Sequence, residues 1–447
     1  MFASKLHGNL KSVGYFVQHG YGVSTVASSK LNVTGKLIST PASPHSIPGV
    51  RYQSIRPGYH GTTVRDAYNA IRSIFYRIHK TRTFQAIDLI SQCALIQRHV
   101  TELQSLTKVM SILQACALVT EENTDVTKLA VSALHQLASL PTDIWRDYKN
   151  QEHLRWVLHW AAKCRCTSPD FRKLLQQQLD VLCLDQCRCV DHCAHALFIL
   201  NSPDRCLARN LMNRYVTIQS TGDPKYRHTE VLSLLLYCTL CGVECSALLK
   251  LISVDQLIQK CDGTHLQLLL LHNTLPVTAN QRQQIMDKCS VRFQDNVKSQ
   301  QSGRMYDMLS YFIGPKYTTG LSSVDGVEIQ ALCIYNQDHE PVETDAYPAN
   351  VYNGVSVDMT AATRHGFSVV ACRGVNDTLL LRHPGHVPNG YLVLEASALK
   401  WQGCYCIPMI LEHGAAKTQK SSRFVPDLMI NYPDHIPVFK HLLAPKQ

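Results

Sequence analysis

No acidic residue occurs before Asp66 in this chain of 447 residues. The stretch before it holds Lys5, Lys11, Lys30, Lys36, Arg51, Arg56 and Arg65, seven of the ten net positive charges, leaving three for everything after it. The basic balance therefore describes the leader more than the body. Charged residues are scarce overall, 17% against about 25% in soluble proteins, and 45% of the chain is apolar. That balance argues against wholesale disorder. Long apolar runs are missing too. The longest uncharged one, Val231 to Val243, falls short of the ~20 residues of a membrane span.

Chemistry-bearing motifs are also missing. There is no phosphate loop, dinucleotide fingerprint, nucleophile elbow, zinc helix or kinase set. Beyond Gly314 no acid stands in an acid-x-Lys arrangement of the kind a metal-dependent nuclease uses. The expectation is a protein that is not an enzyme, with no catalytic residue, no resident metal and no cofactor.

The first 65 positions read as a targeting leader. They are basic, acid-free and rich in Ser and Thr. Phe2, Leu6, Leu10, Val13 and Val17 share one helical face. A secretory signal needs a continuous apolar core, which is absent, so the mitochondrial matrix is the expected location. The eighteen cysteines then read as small apolar residues rather than a disulfide framework. Cys183, Cys187, Cys189, His192, Cys193 and His195 could meet one metal only if the helix breaks between 184 and 188. The expectation is helix packing.

From Asp66 to Ile313 apolar residues recur at three and four. Helix starts are marked at Thr124-Asp125, Ser168-Pro169-Asp170 and Ser202-Pro203-Asp204. Helix pairs recur: 111–119 with 123–140, 154–164 with 168–179, 194–200 with 202–215, 232–240 with 243–252, and 268–275 with 277–289. The period is about 36–43 residues, which predicts an α-solenoid, because one pair cannot bury its apolar face alone. His265 and His272 read as polar breaks in a Leu-rich helix. Past Gly314 the pattern changes. Asp325-Gly326 marks a hairpin, and alternation from Val327 to Tyr335 marks a strand. Further strands are expected over 355–359, 367–372, 378–381 and 404–407, the last ended by Pro408, with a helix over 391–402.

The run Gly390–Lys400-Trp401-Gln402-Gly403 through Pro408, entered by Leu380-Leu381-Arg382-His383-Pro384-Gly385-His386, resembles the end of a RAP domain. Gly314-Pro315-Lys316-Tyr317, Asp325-Gly326-Val327 and Asp338–Val342 are similar to the segment that joins helical repeats to RAP in the FAST kinase domain-containing family. The order of leader, repeats, hairpin segment and RAP covers nearly the whole chain. The resemblance implies an α-helical repeat (α-solenoid) followed by a small C-terminal α/β RAP-like domain with a restriction-endonuclease-like core. Divided by residue, this gives a leader at 1–65, repeats at 66–313, a hairpin segment at 314–350, a divergent RAP-like domain at 351–430 and a tail at 431–447. It also implies a mitochondrial RNA-binding protein acting on transcript processing, stability or translation, with possible protein partners in mitochondrial RNA granules. Ser368–Cys372 carries no acid, and Lys400 is the only base in its helix, so the domain is expected to be non-catalytic. Expected RNA contacts are Arg373, Arg382, His383, His386, Lys400 and Trp401. The readings it competes with are a protein-interaction scaffold without RNA contact and a RAP-domain nuclease.

Overall fold

The computed structural model describes residues 63–120, 123–146, 148–178, 187–221, 231–296, 302–324, 326–375, 379–383, 387–413 and 420–424. Through Ile313 the described chain is helical. The principal helices are α1 (Val64–Tyr76), α2 (Leu106–Leu118), α3 (Thr124–Ser139), α4 (Tyr148–Cys164), α5 (Pro169–Gln178), α6 (Cys187–Ile199), α7 (Arg205–Thr221), α8 (Leu232–Leu240), α9 (Gly263–Leu271), α10 (Ala279–Asn296) and α11 (Ser302–Ile313). None is long and apolar enough to cross a membrane.

Local chemistry sets the helix starts. A side-chain oxygen there satisfies backbone N–H groups that have no intrahelical partner. Thr63 and Asp66 form a reciprocal capping box before α1. Asn123, not Thr124, caps α3 by accepting from Asp125 and Val126. Ser168 Oγ accepts from the Phe171 N–H at 3.1 Å, and Asp204 Oδ1 from the Leu207 N–H at 2.9 Å.

The helix ends repeat one device. Arg165, Asn201, Gly242 and Asn273 each adopt positive φ (53°, 44°, 62° and 53°). Around each, two backbone bonds close the last turn in the same pattern. Arg165 N–H donates to Ala162 O and Cys166 N–H to Ala161 O. The pairs at Asn201/Ser202, Gly242/Val243 and Asn273/Thr274 follow suit, as expected of a helix ended by a left-handed residue. Four helices therefore stop alike and are followed by a second helical segment. The 243–252 helix expected from sequence is shorter, Ser246–Leu249, and a separate helix, Val254–Lys260, starts after the extended Ser253.

The first helices form a row in which α2 packs on α4, α4 on α6, α6 on α8 and α8 on α9. A helix with neighbours on all sides is apolar all round. In α8 the residues Leu232, Leu234, Leu235, Leu236, Tyr237 and Cys238 are all buried. Side-chain bonds link residues about one unit apart: Tyr237 to Ser202 O, Thr239 to Thr274, and His135 to Asp170.

Beyond α11 a small region of mixed strands follows: β1 (Ser322–Val324), β2 (Val327–Ile329), β3 (Ala331–Tyr335), β4 (Ser356–Val357), β5 (Ser368–Val375), β6 (Leu380–Leu381), β7 (Val387–Pro388), β8 (Cys404–His413) and β9 (Lys420–Phe424), with helices α12 (Met359–Arg364) and α13 (Gly390–Trp401). The sheets have orders β2-β1-β4 and β3-β5-β8-β9, and β6 pairs with β7. β1 and β2 form the expected hairpin. The alternating run from Val327 to Tyr335 divides between two sheets. β3 is buried at every position, so its alternation does not mark one wet face. The expected strand at 355–359 stops at Val357, because Asp358 caps α12 by accepting from the Ala361 N–H. Pro408 does not end β8. It pairs in register with Arg373, while β9 pairs only from Met409 onward. The strand therefore continues through Pro408 on its pairing with β5. β5 and β8 are parallel, and α13, in the connection between them, packs on β8. Residues 314–350 and 351–430 share both larger sheets.

Candidate nucleic-acid interface

The C-terminal segment is docked along the ends of the first helices, in order. The Arg382 N–H donates to Arg165 O at 2.8 Å, and His383 bridges to Cys166. Asn201 Nδ2 donates to Pro388 O at 3.0 Å. Tyr391 packs edge-on to Phe198 (centroids 4.6 Å) and stacks on His265 (5.0 Å). His272 Nε2–H donates to Leu394 O at 2.8 Å. Three of the left-handed turns, or the residue just before or after them, thus each hold one piece of the segment. α13 lies against α6, α8 and α9. Leu381 and Leu394 belong to the core of the helical region, and Leu399 to the core of the sheets.

This docking places the expected RNA contacts. Arg373 Nε donates to Glu395 Oε1 at 2.5 Å, with both side chains mostly buried. Glu395 holds the Arg373 guanidinium firmly charged against the opposing effect of burial. Arg382 is half-buried. Its Nη2 donates to Thr120 O at 3.4 Å, and its buried Nε has no hydrogen-bond partner among the described residues. His383 is half-buried in the same contact. These three residues join the segment to itself or to the helices. His386 lies outside the described residues. Lys400 is exposed, and so is Trp401 at 70%, its ring 5.2 Å from that of His272. The structure brings these two together at the open end of α13.

A second set of rings lies on α4 and α6. Arg155, Trp156, His159, Trp160 and Lys163 fall at helical spacing on one face of α4. Both indoles are half-buried and Lys163 is exposed. Trp156 and Trp160 are stacked, with centroids 6.0 Å apart and planes at 28°. His159 meets Trp156 edge-on at 5.9 Å and lies 6.0 Å from His192 of α6. The Arg155 guanidinium sits 5.2 Å over the Trp156 ring, and its Nη1 donates to Cys189 Sγ. Burial, followed by the charges of Lys163, His192, His195 and Arg155, pushes the His159 imidazole down to about 3. Burial and then His265 push His195 down to about 4. At neutral pH these rings are uncharged and offer one donor and one acceptor each. Paired indoles beside a cation can stack bases and hold a phosphate. The signal in the sequence is Arg155-Trp156, then His159-Trp160, then Lys163, bases and rings interleaved at three and four.

No disulfide is found among the described residues. Among the described residues no three His, Cys, Asp or Glu are placed to hold a metal ion. No protein-family model matches the chain, and neither does any curated protein.

Proposed function

We propose that this chain is a non-catalytic RNA-binding protein of the mitochondrial matrix, acting in post-transcriptional control of mitochondrial transcripts. In this reading the helix pairs form an α-solenoid, the mixed strands form a divergent RAP-like domain with a restriction-endonuclease-like core, and the chain is akin to the FAST kinase domain-containing proteins. The observation that carries the RNA reading is the stacked Trp156–Trp160 pair flanked by Arg155, His159 and Lys163. Bases stack on such rings without regard to sequence, and the flanking cations meet phosphates. The four matching turns support the solenoid. The parallel β5–β8 pair joined through α13 supports the RAP-like core. The acid-free leader supports the location.

Tryptophan fluorescence tests the carrying observation. Titration of the full chain with a single-stranded RNA oligonucleotide quenches the emission of Trp156 and Trp160, and Lys163→Glu weakens the binding about tenfold, the scale of one charge-assisted contact. A titration without quenching or binding overturns the reading. The competing scaffold reading rests on the low net charge of the body, and it predicts that outcome.

A further inference from the structure

The helical row begins at α1, whose solvent side is built differently from the rest. Ala67, Ala70, Ile71 and Ile74 face the core. Arg72, Phe75 (38% exposed) and Tyr76 (47%) face outward. α1 runs directly into a π-turn, Arg77–Thr81, ended by Arg82 in the left-handed conformation (φ 53°). π-turns within helices are rare and recur at functional sites, and a left-handed non-glycine residue costs about 1 kcal/mol or more. The turn places exposed Lys80 and Arg82 beyond Tyr76. The patch is rigid at its centre. The Phe75 ring lies 4.4 Å from that of His79, which is fixed by a 3.0 Å bond from Nε2 to Gln114 Oε1. Within residues 63–90 the acids are Asp66 and Asp88. Asp88 is taken by Arg77, and Asp66 is taken by the cap of α1. Arg72 and Lys80 are in no ion pair among the described residues.

We infer that this patch is a second RNA contact, a phosphate-and-base clamp at the first helix of the row, in which Arg72 and Lys80 meet phosphates and Tyr76 stacks a base. The inference rests on the RNA reading above and adds a separate site to it. Single-stranded RNA is favoured over a lipid surface because the apolar face of α1 is already buried in the core, leaving none to insert between lipids. The rings also alternate with the bases instead of segregating from them, as they do where strands are tracked by charge and stacking together. Only α2 lies between α1 and α4 in the row. Two interaxial steps of 8–10 Å make the separation about 20 Å, within reach of one strand.

The test is the salt dependence of binding of a single-stranded RNA oligonucleotide to the full chain. Comparison is made with Arg72→Gln/Lys80→Gln and, separately, with Tyr76→Ala. All these residues are exposed, and thermal melting checks that the variants fold. Loss of two phosphate contacts lowers the slope of log K against log salt by about 1.4, at ~0.7 per contact for a single strand. Tyr76→Ala weakens binding about fivefold or more with the slope unchanged, as loss of stacking should. Wild-type binding with both variants indistinguishable from it overturns the clamp and leaves the α4 site standing. No binding by the unaltered chain overturns the RNA reading and the clamp together. Binding to anionic lipid vesicles in place of RNA overturns the clamp in favour of a membrane contact.

Discussion

Gly390 decides how closely α13 can approach the helices. A Cβ at that position would lie 2.4 Å from Phe198 O and 2.6 Å from its ring, so only hydrogen fits. Gly390→Ala is expected to destabilise the fold by about 1–3 kcal/mol through overpacking, read as a lower melting temperature. His159 sets a pH dependence. Its pKa is lowered from 6.5 to about 3. Between those values the unfolded chain binds a proton that the folded chain does not. Stability therefore rises with pH through that window and is lost as pH falls from about 6.5 toward 3. Thermal melts from pH 7 to pH 5 should show the fall, and His159→Gln should flatten it. His195 and His272, lowered by burial as well, supply the slope that remains.

Among the elements, what the sequence carried was local. Capping side chains act within three residues, so the starts of α3, α5 and α7 could be read within a residue or two. The roles of His265 and His272 could not. They read as polar breaks in a Leu-rich helix, but one stacks on Tyr391 and the other donates to Leu394 O, more than a hundred residues on. Arg373 and Arg382 looked like surface cations for the same reason, since Glu395 and Thr120 are partners only once the chain has folded. Pro408 misled because the strand that carries β8 through it pairs at Arg373, far back along the chain. Three variants test these elements. Glu395→Gln strands the Arg373 charge between β5 and α13 and should cost about 3 kcal/mol by denaturant unfolding, the scale of a broken buried pair. At the end of α9, Asn273→Gly should be neutral or better. Asn273→Val should lose about 1–2 kcal/mol, because a branched side chain resists positive φ. Equal melting of the two Asn273 variants would remove the left-handed turn as a determinant.

Over the whole molecule, the C-terminal region braces the helical row. It runs past the turns at Arg165, Asn201 and Asn273, commits Arg382 to that contact and pairs Arg373 internally with Glu395. In the proposed reading, RNA contact moves from the C-terminal motifs to the faces of α4 and α1, with Lys400 and Trp401 exposed at the end of α13. The organisation into helices followed by mixed strands was legible because periodicity is written along the chain. The ring cluster on α4 and α6 was not, because it depends on which helices become neighbours. The most direct measurement is ultraviolet crosslinking of the tagged full chain in purified mitochondria, with sequencing of the bound RNA and mass spectrometry of the crosslinked peptides. The account predicts enrichment of a few mitochondrial transcripts and nucleotide adducts within residues 155–163. RNA recovery no higher than from an untagged control, or adducts confined to other parts of the chain, would contradict it.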